Sequence, residues 1–303
     1  MDNSAAKMVE VGDLLLALYG ATSGDIAISK IKGAINQAIL CIRTKQNKKF
    51  VESVWNKHVA RLLQTYLQGG QGNLSADIVK NIPFYFTNIE EQNKLARFIS
   101  LLDQRIAAQN KIIEDLKKLK SAIYQELFSN LQGEEKSLSE LAEITKGQQV
   151  NGNQLSENGK YYVMNGGIMP SGYYDDYNTE AGTISISEGG NSCGYVQYNK
   201  SKFWSGGHCY TLHIKPTARI STLFLFHCLK WKEEDIMALR IGSGLPNIQK
   251  KDLSKVRIIV PTFDKQQQLI ALLSTLQMKI EYEEMYTINL DKQKLHLLSQ
   301  MFI

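Results

Sequence analysis

Cys193, His208, Cys209 and His213 have the side chains of a zinc site, and zinc requires its ligands to converge tetrahedrally. Three of them lie in HCYTLHI, a β-like run in which neighbouring residues face opposite ways, so His208 and Cys209 point apart. With no CxxC pair in the chain, Cys41, Cys193, Cys209 and Cys228 read as small buried thiols. Asp175, Asp176, Glu180 and Glu188 could supply the carboxylates of a nuclease metal centre, but no lysine stands at the ExK spacing and YYDDYN reads as a turn. A GxxxxGK(S/T) loop to cradle nucleotide phosphates is also missing. The sequence therefore predicts no metal and no cofactor in this chain.

Cations and amides in glycine-rich loops offer a different chemistry. Lysine and arginine hold phosphate, and amides or arginine read base edges. The second half supplies Lys146, Gln148 and Gln149 in TKGQQ, Asn165 in MNGG, Lys200 and Lys202 beside Trp204 in NKSKFW, and Arg240, Ser243, Lys250 and Lys251 around a glycine loop. The first half supplies Thr22, Ser23, Lys30, Lys32, Gln37, Gln71 and Asn73. Solvated lysines and turn-capping amides look the same in a sequence, so the grouping carries more weight than any member. Gly70, Gly72, Gly242 and Gly244 fit turns that need positive φ.

These loops are positioned by an internal repeat. Shifted by 174 residues, EEQNKLARFISLLDQRI and its continuation lie over DKQQQLIALLSTLQMKI and its continuation, bringing Gln92 onto Gln266, Leu95 onto Leu269, Lys120 onto Lys294 and Phe128 onto Phe302. Further upstream the shift becomes 170, and Gly12, Gly20 and Gly24 fall on Gly182, Gly190 and Gly194. Each unit reads as β-rich domain, glycine loop, long helix. Residues 137–181 of the second unit have no counterpart beyond the few residues before Gly12, so the first unit looks truncated.

The helices carry seven-residue seams. Leu95, Ile99, Leu102, Ile106, Ile113, Leu116, Ile123 and Leu127 form one, interrupted at Gln109 and Lys120. Leu269, Leu273, Leu276, Ile280, Leu290, Leu297 and Met301 form the other, interrupted at Glu283, Thr287 and Lys294. Sustained heptads predict a coiled coil, antiparallel if the two halves are related by a dyad, and polar seam residues fix register at a cost in stability. Whether the two lysines snorkel to solvent stays open. Forty helical residues span roughly 60 Å, and duplex DNA presents half-sites on one face about every 34 Å. Two similar domains on such a spacer suit that target.

Bulk properties permit this reading without requiring it. A chain of 303 residues, 43% hydrophobic, can bury two cores. The net charge of +5 and pI near 8.8 are mildly basic. No apolar run reaches membrane-spanning length and MDNSAAKMVEVGD has no signal-peptide core, which predicts a cytoplasmic protein without a membrane partner.

The order glycine-rich loop, Asn, apolar strand, Pro, (E/D)xQ, long helix occurs twice, in GSGLPNIQKKDLSKVRIIVPTFDKQQQ and in GGQGNLSADIVKNIPFYFTNIEEQNKLARFISLLDQRI. It resembles the target-recognition domain and conserved spacer helix of type I restriction-modification specificity (S) subunits, and LSELAEITKGQQ, NGGIMPSGYY and ISISEGGNSCGYV resemble other parts of such a domain. The resemblance covers nearly the whole chain. It implies an α+β protein whose two target-recognition domains each read half of a bipartite double-stranded DNA site, and whose antiparallel helices set the gap between halves and dock methyltransferase (M) subunits. Restriction/motor (R) subunits complete such a complex, and S-adenosylmethionine, ATP and Mg belong to the partners. The chain itself is then non-catalytic and part of phage defence. Its shortened first domain puts half of that specificity in doubt, and leaves open a homodimer in which two copies each contribute an intact domain.

One tetrapeptide argues otherwise. NIPF at 81–84 is close to the (N/D)PP(Y/F) with which adenine methyltransferases hold the target amino group, but Ile82 replaces the first proline and no FxGxG-like loop follows a strand. The repeat instead makes this stretch a strand leading into the helix. The expected organisation is a partial recognition domain at 1–88, a central helix at 89–131, a linker at 132–136, a complete recognition domain at 137–262 and a distal helix at 263–303. A coiled-coil adaptor that joins two β-rich modules without reading DNA is the alternative.

Overall fold

The computed structural model describes residues 7–66, 74–242, 244 and 246–301. Gly70, Gln71, Gly72, Asn73, Ser243 and Phe302, invoked above, lie outside the described residues. The chain divides into two compact units, with the boundaries inside the two long helices at 114/115 and 281/282.

Unit one begins with β1 (Lys7–Val9), β2 (Leu14–Ala17), β3 (Ile26–Ile28), β4 (Gly33–Ile35) and β5 (Ile39–Ile42). β1 pairs with β4, and β3, β2 and β5 form an antiparallel sheet in that order. Two helices follow, α1 (Lys48–Tyr66) and α2 (Ala76–Lys80), and then the long α3 (Ile89–Ser129), which continues into unit two. α1 corrects the sequence reading of this unit as β-rich. Its apolar residues Phe50, Val54 and Trp55 are buried, and the Trp55 indole donates to the Gly24 carbonyl at 2.7 Å.

Unit two opens with β6 (Glu134–Ser137), α4 (Leu138–Leu141), β7 (Ala142–Lys146), β8 (Tyr161–Met164), β9 (Gly172–Tyr174), β10 (Thr183–Ser187), β11 (Val196–Asn199), β12 (Trp204–Ser205) and β13 (Cys209–Ile214). It continues with α5 (Thr222–Trp231), α6 (Glu233–Ala238), α7 (Lys250–Leu253) and β14 (Arg257–Val260), and α8 (Phe263–Met301) runs on into unit one. The main sheet has the order β11-β10-β13-β7, all antiparallel. β10 reads TISIS and is buried throughout, with Ile184 and Ile186 in one core with Phe224, Leu225 and Leu229 of α5. Residues 134–136, expected to be linker, belong to β6, which pairs with β14.

The repeat is visible residue by residue. Gly12, Gly20 and Gly24 have φ of 87°, 79° and 93°, and Gly182, Gly190 and Gly194 have 78°, 77° and 92°. A Cβ on Gly24 would meet Val59 at 2.8 Å and one on Gly194 would meet Met237 at 2.8 Å, so both the left-handed backbone and the closely packed helix require glycine there. Downstream, Gln92 and Gln266 are fully buried and do the same work. Oε1 of Gln92 accepts from the Asn47 amide that starts α1 (3.0 Å), while its Nε2 donates to the Thr87 carbonyl (2.7 Å). Oε1 of Gln266 accepts from the Ser221 amide that starts α5 (2.9 Å), while its Nε2 donates to the Pro261 carbonyl (3.1 Å). Each glutamine ties the first turn of a long helix to the N-terminus of a second one.

The repeat fails at one place. β14 is a strand because β6 lies beside it. The aligned residues 83–86 of unit one form no strand, which corrects the sequence expectation for NIPF. Among the described residues of unit one nothing corresponds to β6, α4 or β7.

α3 and α8 run antiparallel within each unit. In unit one Ile99 packs with Leu298, Asp103 pairs with Lys294 at 2.5 Å, and Gln109 donates to Glu283, so the two polar positions equivalent in the repeat meet each other. In unit two Lys120 donates to Gln277 at 2.6 Å. Gln277 is the repeat equivalent of Asp103, and Lys120 that of Lys294. Neither lysine snorkels to solvent, because each has a polar acceptor on the facing helix. Burial, and then the charge of Lys230, pulls the Lys120 ammonium below its ordinary pKa. Burial pushes the Asp103 carboxyl up, but hydrogen bonds from Lys294 and Lys49 outweigh it and hold the group below its usual value. Ile99, Ile113, Leu269, Leu273, Ile280 and Leu290 are buried, and Leu95, Leu102, Ile106, Leu116, Ile123, Leu127, Leu276, Leu297 and Met301 are half-buried. Replacement of Ile99, 1% exposed, by Asp is expected to cost about 3 kcal/mol or more, whereas Arg97→Ala on the exposed face stays within about 0.5 kcal/mol. Equal chemical-denaturation midpoints for the two variants would contradict this packing.

A buried His227 adds a pH dependence to unit two. Its Nδ1 lies 2.6 Å from the Tyr124 hydroxyl, and burial, then Lys120, pulls its pKa down to about 4. The folded state thus resists a proton that the unfolded chain takes up near pH 6.5, and stability falls as pH drops from that value toward 4. The loss between pH 7 and pH 5 is expected to be about 2 kcal/mol. Unfolding of His227→Phe at both pH values checks this: the variant should lose correspondingly less.

Candidate nucleic-acid interface

The strands of unit two end in two opposite groups of loops. At one end Ser187 faces Cys209 and Lys146 faces Tyr210; at the other Thr183 faces Asn199 and Ala142 faces Ile214. The first end gathers most of the polar residues singled out by sequence. Gly147 packs against the Ser205 and Gly206 carbonyls so closely that a Cβ would lie 2.3 Å from Gly206 O. This contact presents Lys146, Gln148 and Gln149, all exposed, on a tight backbone. Beside them the Asn165 Oδ1 accepts from the His208 amide at 3.0 Å, and the Trp204 indole donates to the Gln148 carbonyl at 2.8 Å. Trp204 is therefore a brace for the TKGQQ loop. Gly189 and Ile241 both bridge to Asn247, joining the loop that carries exposed Arg240 to the same end, with exposed Lys250 and Lys251 following on α7. Gly242 has φ of 104°, as expected of a turn glycine, whereas Gly244 is not in the left-handed region.

Two residues that sequence reasoning passed over stand at the centre. Glu188 Oε1 accepts from Lys146 Nζ at 2.6 Å and from the Tyr210 hydroxyl at 3.1 Å. Its Oε2 is buried without a hydrogen-bond partner, 3.7 Å from Nδ1 of His208, whose side chain is 64% exposed. Burial, and then Glu188, pushes the Tyr210 hydroxyl up to about 12, so Tyr210 stays a donor to that carboxylate. A carboxylate in this position can accept a proton from a base amino group, as glutamate does from cytosine. The alternation of HCYTLHI places His208 just outside the strand, and that was the available signal for it.

Lys200 and Lys202 are corrected in position. They follow Asn199 at the other end of the sheet, roughly 15 Å from Lys146 by strand length. Lys200 pairs with Glu281 at 3.7 Å, and Lys202 with Glu180 at 3.1 Å and the Tyr177 hydroxyl at 2.8 Å. Unit one repeats the division. Lys32 pairs with Glu10 at 2.8 Å, the counterpart of Lys202 with Glu180, and Lys30 stands beside it. Thr22, Ser23 and the exposed Gln37 belong to the other end, where Ser23 Oγ donates to the Leu18 carbonyl at 3.0 Å. Leu18 and Ala38 occupy the positions of Glu188 and His208, so unit one has a less polar surface there.

The metal candidates do not assemble. Cys193 Sγ donates to the Glu188 carbonyl, His213 Nε2 lies 3.2 Å from Thr211 Oγ1, and all four cysteines are free thiols. Among the described residues no group of three or more His, Cys, Asp or Glu side chains could hold a metal ion. Asn81 closes α2 by donating to the Asp77 carbonyl at 2.8 Å. Among the described residues no helix is long and apolar enough to cross a membrane.

Two β domains, each seated on an antiparallel helix pair and carrying loops at one sheet end, define a repeated recognition module. The family model described as "Type I restriction modification DNA specificity domain" matches residues 2–118 and 131–290, and the chain belongs to that family. It is 34% identical over 157 residues to a protein of Mycoplasma pneumoniae named as a type I specificity subunit, covering 52% of this chain and 42% of that protein. A Mycoplasma genitalium protein of the same designation is 32% identical over 145 residues, covering 48% and 38%. The chain spans less than half the length of these relatives in those matches. The crystal structure of a type I restriction-modification S subunit from M. genitalium shares the fold, with a TM-score of 0.69 at 21% identity over 98% of this chain and 84% of that one.

Proposed function

We propose that this chain is a DNA sequence-recognition subunit of a type I restriction-modification complex, and that the loop end of unit two formed by Lys146, Gln148, Gln149, Asn165, His208 and Arg240 reads one half of a bipartite site. The observation that carries this reading is the convergence of exposed cations and amides from separate loops on one tightly packed sheet end. Phosphate contacts position a protein on the duplex and amides discriminate base edges, and this surface holds both kinds of group. Lys250 and Lys251 are assigned to phosphate. The shortened unit one, with Leu18 and Ala38 at the equivalent positions, reads less sequence or none.

Methyltransferase docking is assigned to the outer faces of the long helices. In unit one Phe98, Leu101 and Ile112 of α3 and Met285, Ile288 and Leu295 of α8 are exposed apolar side chains, more than a solvated helix surface needs. Methylation, cleavage and the use of S-adenosylmethionine, ATP and Mg fall to the partners in this account, and two copies of the chain could supply two intact recognition domains to a symmetric site.

The test is the salt dependence of DNA binding by the chain together with its methyltransferase partner. A clearly negative log-log slope is expected, and Lys250→Ala with Lys251→Ala should flatten it by up to about two units, weakening all sequences alike. A slope near zero for the unmodified chain would favour the coiled-coil adaptor.

A further inference from the structure

Unit one has an open cleft where its repeat equivalent in unit two is closed. In unit two, β6 pairs with β14, α4 turns through Leu138 and Leu141, and β7 pairs with the outer edge of β13. Leu138 and Leu141 are 0% and 1% exposed in the core of that domain. The repeat aligns β13 with β5, since Leu14 faces Ile42 as Ile184 faces Leu212, and aligns β14 with residues 83–86. Among the described residues of unit one no strand lies on the outer edge of β5 or beside 83–86. Between these two edges is a cleft of about 400 Å³ lined by Leu40, Ile42, Val54, Trp55, Phe84 and Phe86, together with neighbouring residues. Tyr85 is 93% exposed and Phe86 40%.

An uncovered edge strand is normally protected by charge, proline or a bulge. β5 reads ILCI and has none of these, and 84–86 reads FYF. Pro83 takes the position of Arg257, the first residue of its strand, where a missing amide is tolerated. Both edges are built to be paired.

We propose that the cleft docks a strand, Leu-x-x-Leu turn and strand from another polypeptide, a segment with the chemistry of residues 133–147. One strand adds to 83–86, the other to β5, and the two leucines fill the cleft between Leu40, Ile42 and Phe84. Docking converts the shortened unit into a domain with the closed core of unit two. This proposal does not depend on DNA reading.

The probe is a synthetic peptide of residues 133–147, GEEKSLSELAEITKG, added to the full chain, with a second peptide carrying Leu138→Asp and Leu141→Asp. Saturable one-to-one binding is expected, with slowed amide exchange at 39–42 and 84–86. The doubly substituted peptide should bind at least about 100-fold more weakly, because two buried leucines are lost. Equal binding by the two peptides, no binding by either, or protection confined to 209–214 and 257–260 would overturn the proposal. A chain that is already dimeric, with the amides of 39–42 protected before peptide is added, would assign the cleft to a second copy and overturn it as well.

Discussion

Replacing Gln266 with leucine is expected to destabilise unit two by about 4 kcal/mol, because a buried amide at Ser221 and two carbonyls, of Arg219 and Pro261, lose their partners at about 1 to 3 kcal/mol each. Gln92→Leu should cost unit one less. There Nε2 of Gln92 has the Gln46 side chain at 2.6 Å as one acceptor, and Gln46 is free to turn toward water when the bond is lost. Denaturant unfolding followed by hydrogen exchange in α5 and α1 separates the two effects. A cost for Gln92→Leu equal to or larger than that for Gln266→Leu would show that the two glutamines are not used as described.

The second large effect concerns recognition. Gln148→Ala combined with Gln149→Ala removes two exposed amides without touching the Trp204 and Gly147 contacts that hold the loop, which use the backbone. Specific binding should fall by about 1 to 3 kcal/mol for each base pair no longer read, while binding to unrelated duplex stays unchanged. Competition titrations with specific and non-specific duplex in one buffer give both numbers. Parallel losses on the two duplexes would move these glutamines from base edges to phosphate.

Helix pairing was the most legible feature of the sequence, because a heptad seam is a one-dimensional signal. Gln109, Glu283, Lys120 and Lys294 were readable as seam positions, but their partners were not: which side chain faces which depends on the antiparallel register. The repeat in the β domains was legible through Gly12, Gly20 and Gly24, whose backbone conformation only glycine adopts readily, so the positions persist while their surroundings change. α1 was missed because its apolar residues are interleaved with Lys, His and Arg over a helix that buries only one side. The site was legible in part. Loops carrying Lys146, Gln149 and Asn165 could be nominated as likely turn chemistry, but sorting Lys146 from Lys200 required the sheet register, which puts them at opposite ends. Glu188 and His208 lacked any local signal, since a buried carboxylate acquires its meaning from Lys146 and Tyr210 across the sheet. The expected strand at 83–86 depended on a partner strand that unit one does not supply in its described residues, and no property of PFYF itself reveals that.

The central claim is that this chain directs modification to a DNA sequence through unit two. A map of methylated bases tests it, made in a host carrying the methyltransferase partner alone, with this chain, and with the chain bearing Gln148→Ala and Gln149→Ala. The account predicts a methylated motif that appears only with the chain and is relaxed or lost in part with the variant. The same motif in all three hosts, or no motif with the intact chain, would contradict it.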